Sequence, residues 1–99
     1  MFGNEPRLPS GKELIVLDLL ANKREMYGLE MVKASNKLAR GTVYVLLSRM
    51  EDKGYVSSRQ VKDENASGMP KRIYSISGLG QRALTATRQA HATMNWGIA

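Results

Sequence analysis

Hydrogen-bonding side chains are concentrated on one arc of a predicted helix over residues 41–53. The apolar side chains of this segment follow the i, i+3, i+4, i+7 spacing of a buried helical face, and they are Val43, Leu46, Leu47 and Met50. The arc that remains exposed, with the residue before it, carries Arg40, Thr42, Tyr44, Val45, Ser48 and Arg49. Guanidinium and hydroxyl groups are donors that hydrogen-bond phosphate oxygens and base edges. The arc therefore has the chemistry of a surface that binds double-stranded DNA.

A second basic cluster follows a proline in the C-terminal half of the chain. Lys71 and Arg72 open a predicted strand, so they lie near the tip of a hairpin that could reach the flanking DNA backbone or minor groove. The chain has 15 Lys and Arg against 9 Asp and Glu, a net charge of +6. An excess of this size on a small domain favours polyanionic partners, although charge alone is a weak signal.

The residue patterns of catalysis and metal binding are missing from the sequence. It has no cysteine and a single histidine, His91, so no metal site is expected. It has no glycine-rich phosphate loop and no nucleophile spaced to a partner base, so we expect neither an enzyme nor a cofactor. No apolar run reaches the ~20 residues of a membrane-spanning helix, and residues 1–10 lack the pattern of a secretory signal. These features predict a cytoplasmic protein with no membrane partner.

The periodicity around these residues predicts the elements that position them. Residues 1–9 form a predicted arm, and helices are predicted over residues 12–22, 28–35 and 41–53, the last of them ended by Gly54. The period then changes to that of two strands, 55–61 and 73–76, around a polar loop. A final helix is expected from residue 78 to Gly97. The predicted fold is therefore α+β and mainly α, with three helices and a two-stranded wing in a winged helix-turn-helix over residues 10–77.

Two of these helices carry more apolar surface than one small core needs. The first helix is apolar over well over half of its circumference, which indicates cover on two sides. The final helix has a seam of mostly small side chains, along which another helix can approach closely. We therefore expect a homodimer in which the final helix, residues 78–97, packs on the first helix of the partner. The predicted interface residues are Leu17, Leu20, Leu79, Ala83, Ala86, Ala90 and Met94.

Trp96 lies on the opposite side of the final helix from this seam. It has two interpretations: it packs against a neighbouring helix, or it lines a pocket for a small hydrophobic effector between two subunits. The aromatic residue of the second strand, Tyr74, is assigned instead to the core.

Several of these strings together resemble the PadR family of winged-helix regulators. The resemblance rests on YGLE at residues 27–30, RGTVYVLLSRME at 40–51, GYV at 54–56 and GMPKRIYSIS at 68–77, with Gly80 after them. It covers residues 12–85, and the pairing of the helix motif with the wing motif is specific. This chain departs from the family at Val45, where the family often has proline. It also has Gly78 and Leu79 before Gly80 instead of acidic residues, which predicts a poorly capped start of the final helix.

The resemblance implies a dimeric repressor on palindromic operators, of the short form with a single C-terminal helix. It maps Thr42, Tyr44 and Arg49 onto the helix that reads DNA, and Lys71 and Arg72 onto the wing. A protein-interaction module or anti-repressor, which uses the winged fold without DNA, is the alternative. The basic wing and Arg49 favour DNA over that alternative.

Overall fold

The described residues form helices packed against a small antiparallel sheet. The computed structural model describes residues 9–62 and 71–98, with side chains up to residue 92. In chain order the elements are α1 (Gly11–Lys23), β1 (Glu25–Tyr27), α2 (Gly28–Ala34), α3 (Val43–Asp52), β2 (Val56–Val61), β3 (Lys71–Ile76) and α4 (Gly78–Ile98). The predicted winged-helix order with an added C-terminal helix is confirmed. Most of the predicted arm, and the tip of the wing, lie outside the described residues.

Helix α1 begins at a reciprocal cap that the sequence encodes in Ser10 and Glu13. The backbone N–H of Ser10 donates to Oε1 of Glu13 (2.9 Å), and the backbone N–H of Glu13 donates to Oγ of Ser10 (3.4 Å). This capping box satisfies two of the N–H groups that a helix start leaves without partners. It therefore fixes where α1 starts and brings the Glu13 carboxylate into the interior.

The prediction that Leu17 and Leu20 contact a second subunit is wrong. Both side chains are fully buried in the core of their own chain, together with Val16. The wide apolar arc of α1 is covered because this helix contacts α4, the sheet and α2 of its own chain. The partly buried side chains on this helix are Leu14, Ile15 and Leu19.

Helix α3 buries the face that its sequence period predicts. Val43, Leu47 and Met50 are buried, and Leu46 is partly buried against the same core. Gly54 has a φ of +84° and donates its N–H to the carbonyl of Glu51 (3.0 Å). Glycine adopts this left-handed conformation without steric cost, which is why α3 ends here and the chain turns into β2.

The sheet has one strand more than the sequence predicts. Its order is β1-β3-β2, with both neighbours antiparallel to β3. Met26 pairs with Tyr74, and Ser58 pairs with Tyr74 from the other side. Strand β1 has only three residues, too few to show a period of two, so the sequence gives no signal for it.

The start of α4 is well capped, contrary to the sequence prediction. Oγ of Ser77 accepts the backbone N–H of Gly80 at 2.9 Å and donates to the carbonyl of Gly54. The backbone N–H of Ser77 also donates to the carbonyl of Tyr55 (3.0 Å). The Ser77 hydroxyl thus caps the helix in place of the missing acidic residues and connects the start of α4 to the turn after α3.

Helix α4 packs on α1 of its own chain. Leu84 and Thr87 are buried in this contact, and an ion pair joins Arg88 to Asp18. The helix continues through Gly97 to Ile98, so the prediction that Gly97 ends it is wrong. Within the described residues, no helix is both long and apolar enough to span a membrane.

Candidate nucleic-acid interface

The predicted polar arc of α3 is uncovered over its full length. Tyr44 is 48% exposed and Val45 is 54% exposed. The other predicted residues are also exposed, and they are Arg40, Thr42, Ser48 and Arg49. The six side chains share one surface because the core holds α3 by the opposite face.

The turn before α3 adds Arg40 to the exposed surface that carries Arg49. Thr42 precedes the helix, and its Oγ1 donates to the carbonyl of Ala39 (3.4 Å), which closes the turn that carries Arg40. Among the described residues, neither Arg40 nor Arg49 has an ion-pair or hydrogen-bond partner. Both guanidinium groups are therefore available to an anionic ligand.

A groove beside the arc is lined in part by two cations. Lys12 and Arg49 line it together with the apolar side chains of Leu38, Val45 and Leu46. Both cations carry positive charge that phosphate groups bind.

The ring of Tyr44 rests on a glycine at the start of α2. A Cβ atom placed on Gly28 would lie 2.7 Å from Cε1 of Tyr44 and 3.2 Å from its hydroxyl oxygen. Such distances are shorter than van der Waals contact, so only glycine leaves this space for the ring. Sequence reasoning missed Gly28 because its role depends on a residue 16 positions away.

A chain of hydrogen bonds joins the wing to α3. Nη1 of Arg72 donates to Oγ of Ser58 (2.9 Å), and Oγ of Ser58 donates to Oε2 of Glu51 (2.7 Å). Arg72 uses one of its five donors in this contact, so most of the guanidinium stays open to solvent. Sequence reasoning missed Ser58 and Glu51, which orient Arg72 toward the side of the wing that faces α3.

Tyr74 is buried in the core, as the sequence predicts. Burial raises the pKa of its hydroxyl, and the Glu51 carboxylate raises that pKa further, while the Arg72 guanidinium lowers it. Tyr44 also raises this pKa, and the net effect of the surroundings is a Tyr74 pKa above the ordinary value of 10.0.

The two basic residues of the wing lie on opposite faces of the sheet. Successive strand residues alternate in direction, and Arg72 shares the core-facing side with Tyr74. Lys71 is on the other face, with its ammonium 5.6 Å from the centroid of the Tyr27 ring. The structure therefore places Arg72 on the same side of the sheet as α3, and Lys71 on the opposite side.

The predicted subunit interface on α4 is partly open. Leu79 is 41% exposed and Ala86 is exposed, whereas Ala83 and Ala90 are partly buried. The side chains of Met94 and Trp96 lie outside the described residues. Among the side chains that the structure describes, no cluster of metal-ligating residues is present, around His91 or elsewhere.

Comparison with known proteins identifies the architecture. The sequence profile of the transcriptional regulator PadR-like family matches residues 16–86, which include α3, both wing strands and the start of α4. The chain belongs to the PadR-like family of transcriptional regulators. Members of this family are regulators and not enzymes, in agreement with the sequence prediction. None of the curated proteins matches the chain.

Solved structures of PadR-family proteins share the fold. A PadR family transcription regulator from Clostridium difficile is 26% identical with a TM-score of 0.68, and the match covers 88% of this chain and 97% of that one. A PadR-like transcription factor from Bacteroides fragilis is 21% identical with a TM-score of 0.77, over 88% of this chain and 85% of that one. PadR of Bacillus subtilis, solved in complex with operator DNA, is 18% identical with a TM-score of 0.69, over 77% of this chain and 45% of that one.

Proposed function

We propose that this PadR-family chain is a sequence-specific DNA-binding repressor that acts as a homodimer on a palindromic operator. The observation that carries the proposal is the uncovered arc of α3, whose two arginines have no partner among the described residues. The Bacillus subtilis relative, which has the same fold, was solved with operator DNA. Residues 10–77 would be the DNA-binding unit and residues 78–97 the dimerisation helix.

In the proposed complex α3 enters the major groove with its exposed arc toward the bases. The major groove admits an α-helix, and arginine pairs with O6 and N7 of guanine through two hydrogen bonds. Arg49 is the proposed guanine contact, whereas Arg40 and the Tyr44 hydroxyl reach phosphates. Thr42 and Ser48 have the short hydroxyl groups that contact either a phosphate or a base.

Selection of bound sequences from a random duplex library tests DNA recognition directly. We expect enrichment of a palindrome, and Arg49→Ala should then weaken binding to that palindrome by roughly 1–3 kcal/mol while random DNA is affected less. Arg82→Ala, which removes the same charge from α4, is the matched control and should leave the preference unchanged. A library without enrichment would favour the interaction-module alternative, and an equal loss on random DNA would make Arg49 a backbone contact.

The salt dependence of DNA binding tests whether Arg72 and Lys71 of the wing contribute equally to the interface. Each lost phosphate contact lowers the slope of log affinity against log salt by about 0.9, so Arg72→Ala in both subunits of a dimer should lower it by about 1.8. Lys71→Ala should match this value only if the DNA backbone passes the far face of the sheet as well. Titrations at several salt concentrations measure both slopes. Unchanged slopes in both variants would remove the wing from the proposed interface.

We propose that the dimer forms through α4, and that Leu17 and Leu20, which the core buries, take no part in it. On α1 and α4, apolar surface for a partner is offered by the exposed residues Leu79 and Ala86 and by the partly buried Leu14 and Ile15. A two-fold dimer would place its two α3 helices about 34 Å apart, one turn of DNA. Sedimentation at micromolar concentration should give twice the 11.0 kDa mass of the chain, and removal of residues 78–99 should abolish operator binding. A monomer that binds a palindrome tightly would contradict the dimer.

Release by a small hydrophobic effector at Trp96 is the remaining part of the proposal. It is supported by the residue type alone. Quenching of the single tryptophan by flat hydrophobic compounds, with loss of operator binding, would test it.

A further inference from the structure

Val45 is a large apolar side chain that the fold leaves in solvent. It is 54% exposed, against 48% for Tyr44, 41% for Leu79 and 37% for Leu29, the other exposed large apolar residues in the described part of the chain. A β-branched residue is also a weaker helix former than alanine. Val45 therefore contributes little to the stability of α3, and its exposed surface is available to a ligand.

The position of Val45 on α3 is opposite the buried face. At about 100° per residue, it lies about 200° around the helix from Val43 and about 160° from Leu47, and both of these are fully buried in the core. Val45 is thus the residue of the first turn that projects furthest from the body of the protein. In a helix inserted into the major groove, such a residue faces the base edges.

The major groove offers one kind of apolar group that the isopropyl group of Val45 can contact. Its base edges carry N7, O6, O4 and amino groups, and the C5-methyl of thymine is the exposed alkyl group among them. An isopropyl group set against the polar edges would remove them from water without giving a hydrogen bond in return. Contact with a methyl group instead buries apolar surface on both sides.

We propose that Val45 reads the C5-methyl group of a thymine in each operator half-site. The proposal rests on the proposed function and adds a defined base to it. Arg49 lies one helical turn further on the same exposed side, so the guanine that it reads lies within a few base pairs of this thymine. Val45 then selects an A·T pair through a methyl group and Arg49 selects a G·C pair through hydrogen bonds.

Replacement of thymine by deoxyuridine isolates the methyl group without changing base pairing. Each thymine of the selected palindrome is replaced in turn, in both half-sites, and affinity is measured by fluorescence anisotropy with the full-length protein. A buried methyl group contributes roughly 0.8 kcal/mol, about fourfold in affinity. We expect one symmetric pair of replacements to weaken binding by about 15-fold, the product of the two half-sites.

The variant Val45→Ala should lose this sensitivity, because the shorter side chain no longer reaches the methyl group. It should bind the thymine and deoxyuridine duplexes with affinities that differ by less than about threefold, and circular dichroism should show an unchanged fold, since Val45 is exposed and alanine favours helix. Leu29→Ala, which also shortens an exposed apolar side chain but lies on α2 outside the proposed interface, is the matched control and should keep the full deoxyuridine effect.

Two outcomes would overturn the proposal while the proposed function stands. One is tight binding of the palindrome with no deoxyuridine-sensitive position, and the other is a sensitive position whose effect persists in Val45→Ala. Failure of the proposed function itself would look different, because the library would then yield no palindrome to modify.

Discussion

Gly80→Ala is expected to lower the free energy of unfolding by about 3 kcal/mol or more, at the upper end of overpacking effects. A Cβ atom at Gly80 would lie 2.1 Å from the carbonyl oxygen of Tyr55 and 3.0 Å from its carbonyl carbon. These are backbone atoms, so no side-chain rotation removes the overlap. The first turn of α4 would have to move away from the start of β2, and that movement breaks the Ser77 contacts with Tyr55 and Gly54.

The matched control lies two residues earlier on the same helix. A Cβ atom at Gly78 would approach only Nη1 of Arg82, at 3.4 Å, the far end of a flexible side chain. Gly78→Ala should therefore be neutral or stabilise by up to about 1 kcal/mol, because alanine restricts the unfolded chain more than glycine does. Urea unfolding at one fixed protein concentration measures both variants. Equal stabilities for the two variants would contradict the close approach at Gly80.

The sequence predicts those parts of the fold that depend on local periodicity. The face of α3 that contains Val43 and Leu47 follows from the 3.6-residue period, and Gly54 follows from the need to end a helix in a left-handed conformation. The way in which the apolar arc of α1 is covered does not follow from local periodicity. Its wide apolar arc is compatible with a second subunit or with two sides of one core, and only the packing of α4 and the sheet around Leu17 decides between them.

The features of the candidate interface also divide into those that local periodicity predicts and those that it does not. Exposure of Tyr44 and Arg49 follows from the helical period, and the separation of Lys71 from Arg72 follows from strand alternation once the strand is assigned. The place of Gly28 under the Tyr44 ring and the bonds from Arg72 through Ser58 depend on contacts between distant segments. Residue spacing along the chain does not predict which distant segments come into contact.

Replacement of Glu13 is the other change with a large expected effect. Its carboxylate is 5% exposed and lies 2.7 Å from Nζ of Lys53, and it also accepts the backbone N–H of Ser10. Glu13→Ala removes a helix cap and a charge-assisted hydrogen bond, and it should lower the free energy of unfolding by about 2–3 kcal/mol at neutral pH. The control Glu30→Ala removes the equivalent acceptor from the exposed start of α2 and should cost about 1 kcal/mol or less.

The pH dependence of stability separates the charge of Glu13 from its size. Burial raises the pKa of this carboxyl, but the hydrogen bonds from Lys53 and Ser10 and the Lys53 charge outweigh burial and leave the pKa below its ordinary value of 4.5. The stabilisation is therefore complete above about pH 5 and is lost as the pH falls through the folded-state pKa. Glu13→Gln keeps an acceptor for Ser10 without the charge, so wild type and variant should differ at pH 7 and converge as the pH falls below the folded-state pKa. A constant difference between them from pH 7 to pH 3 would show that the charge of Glu13 contributes nothing to folding.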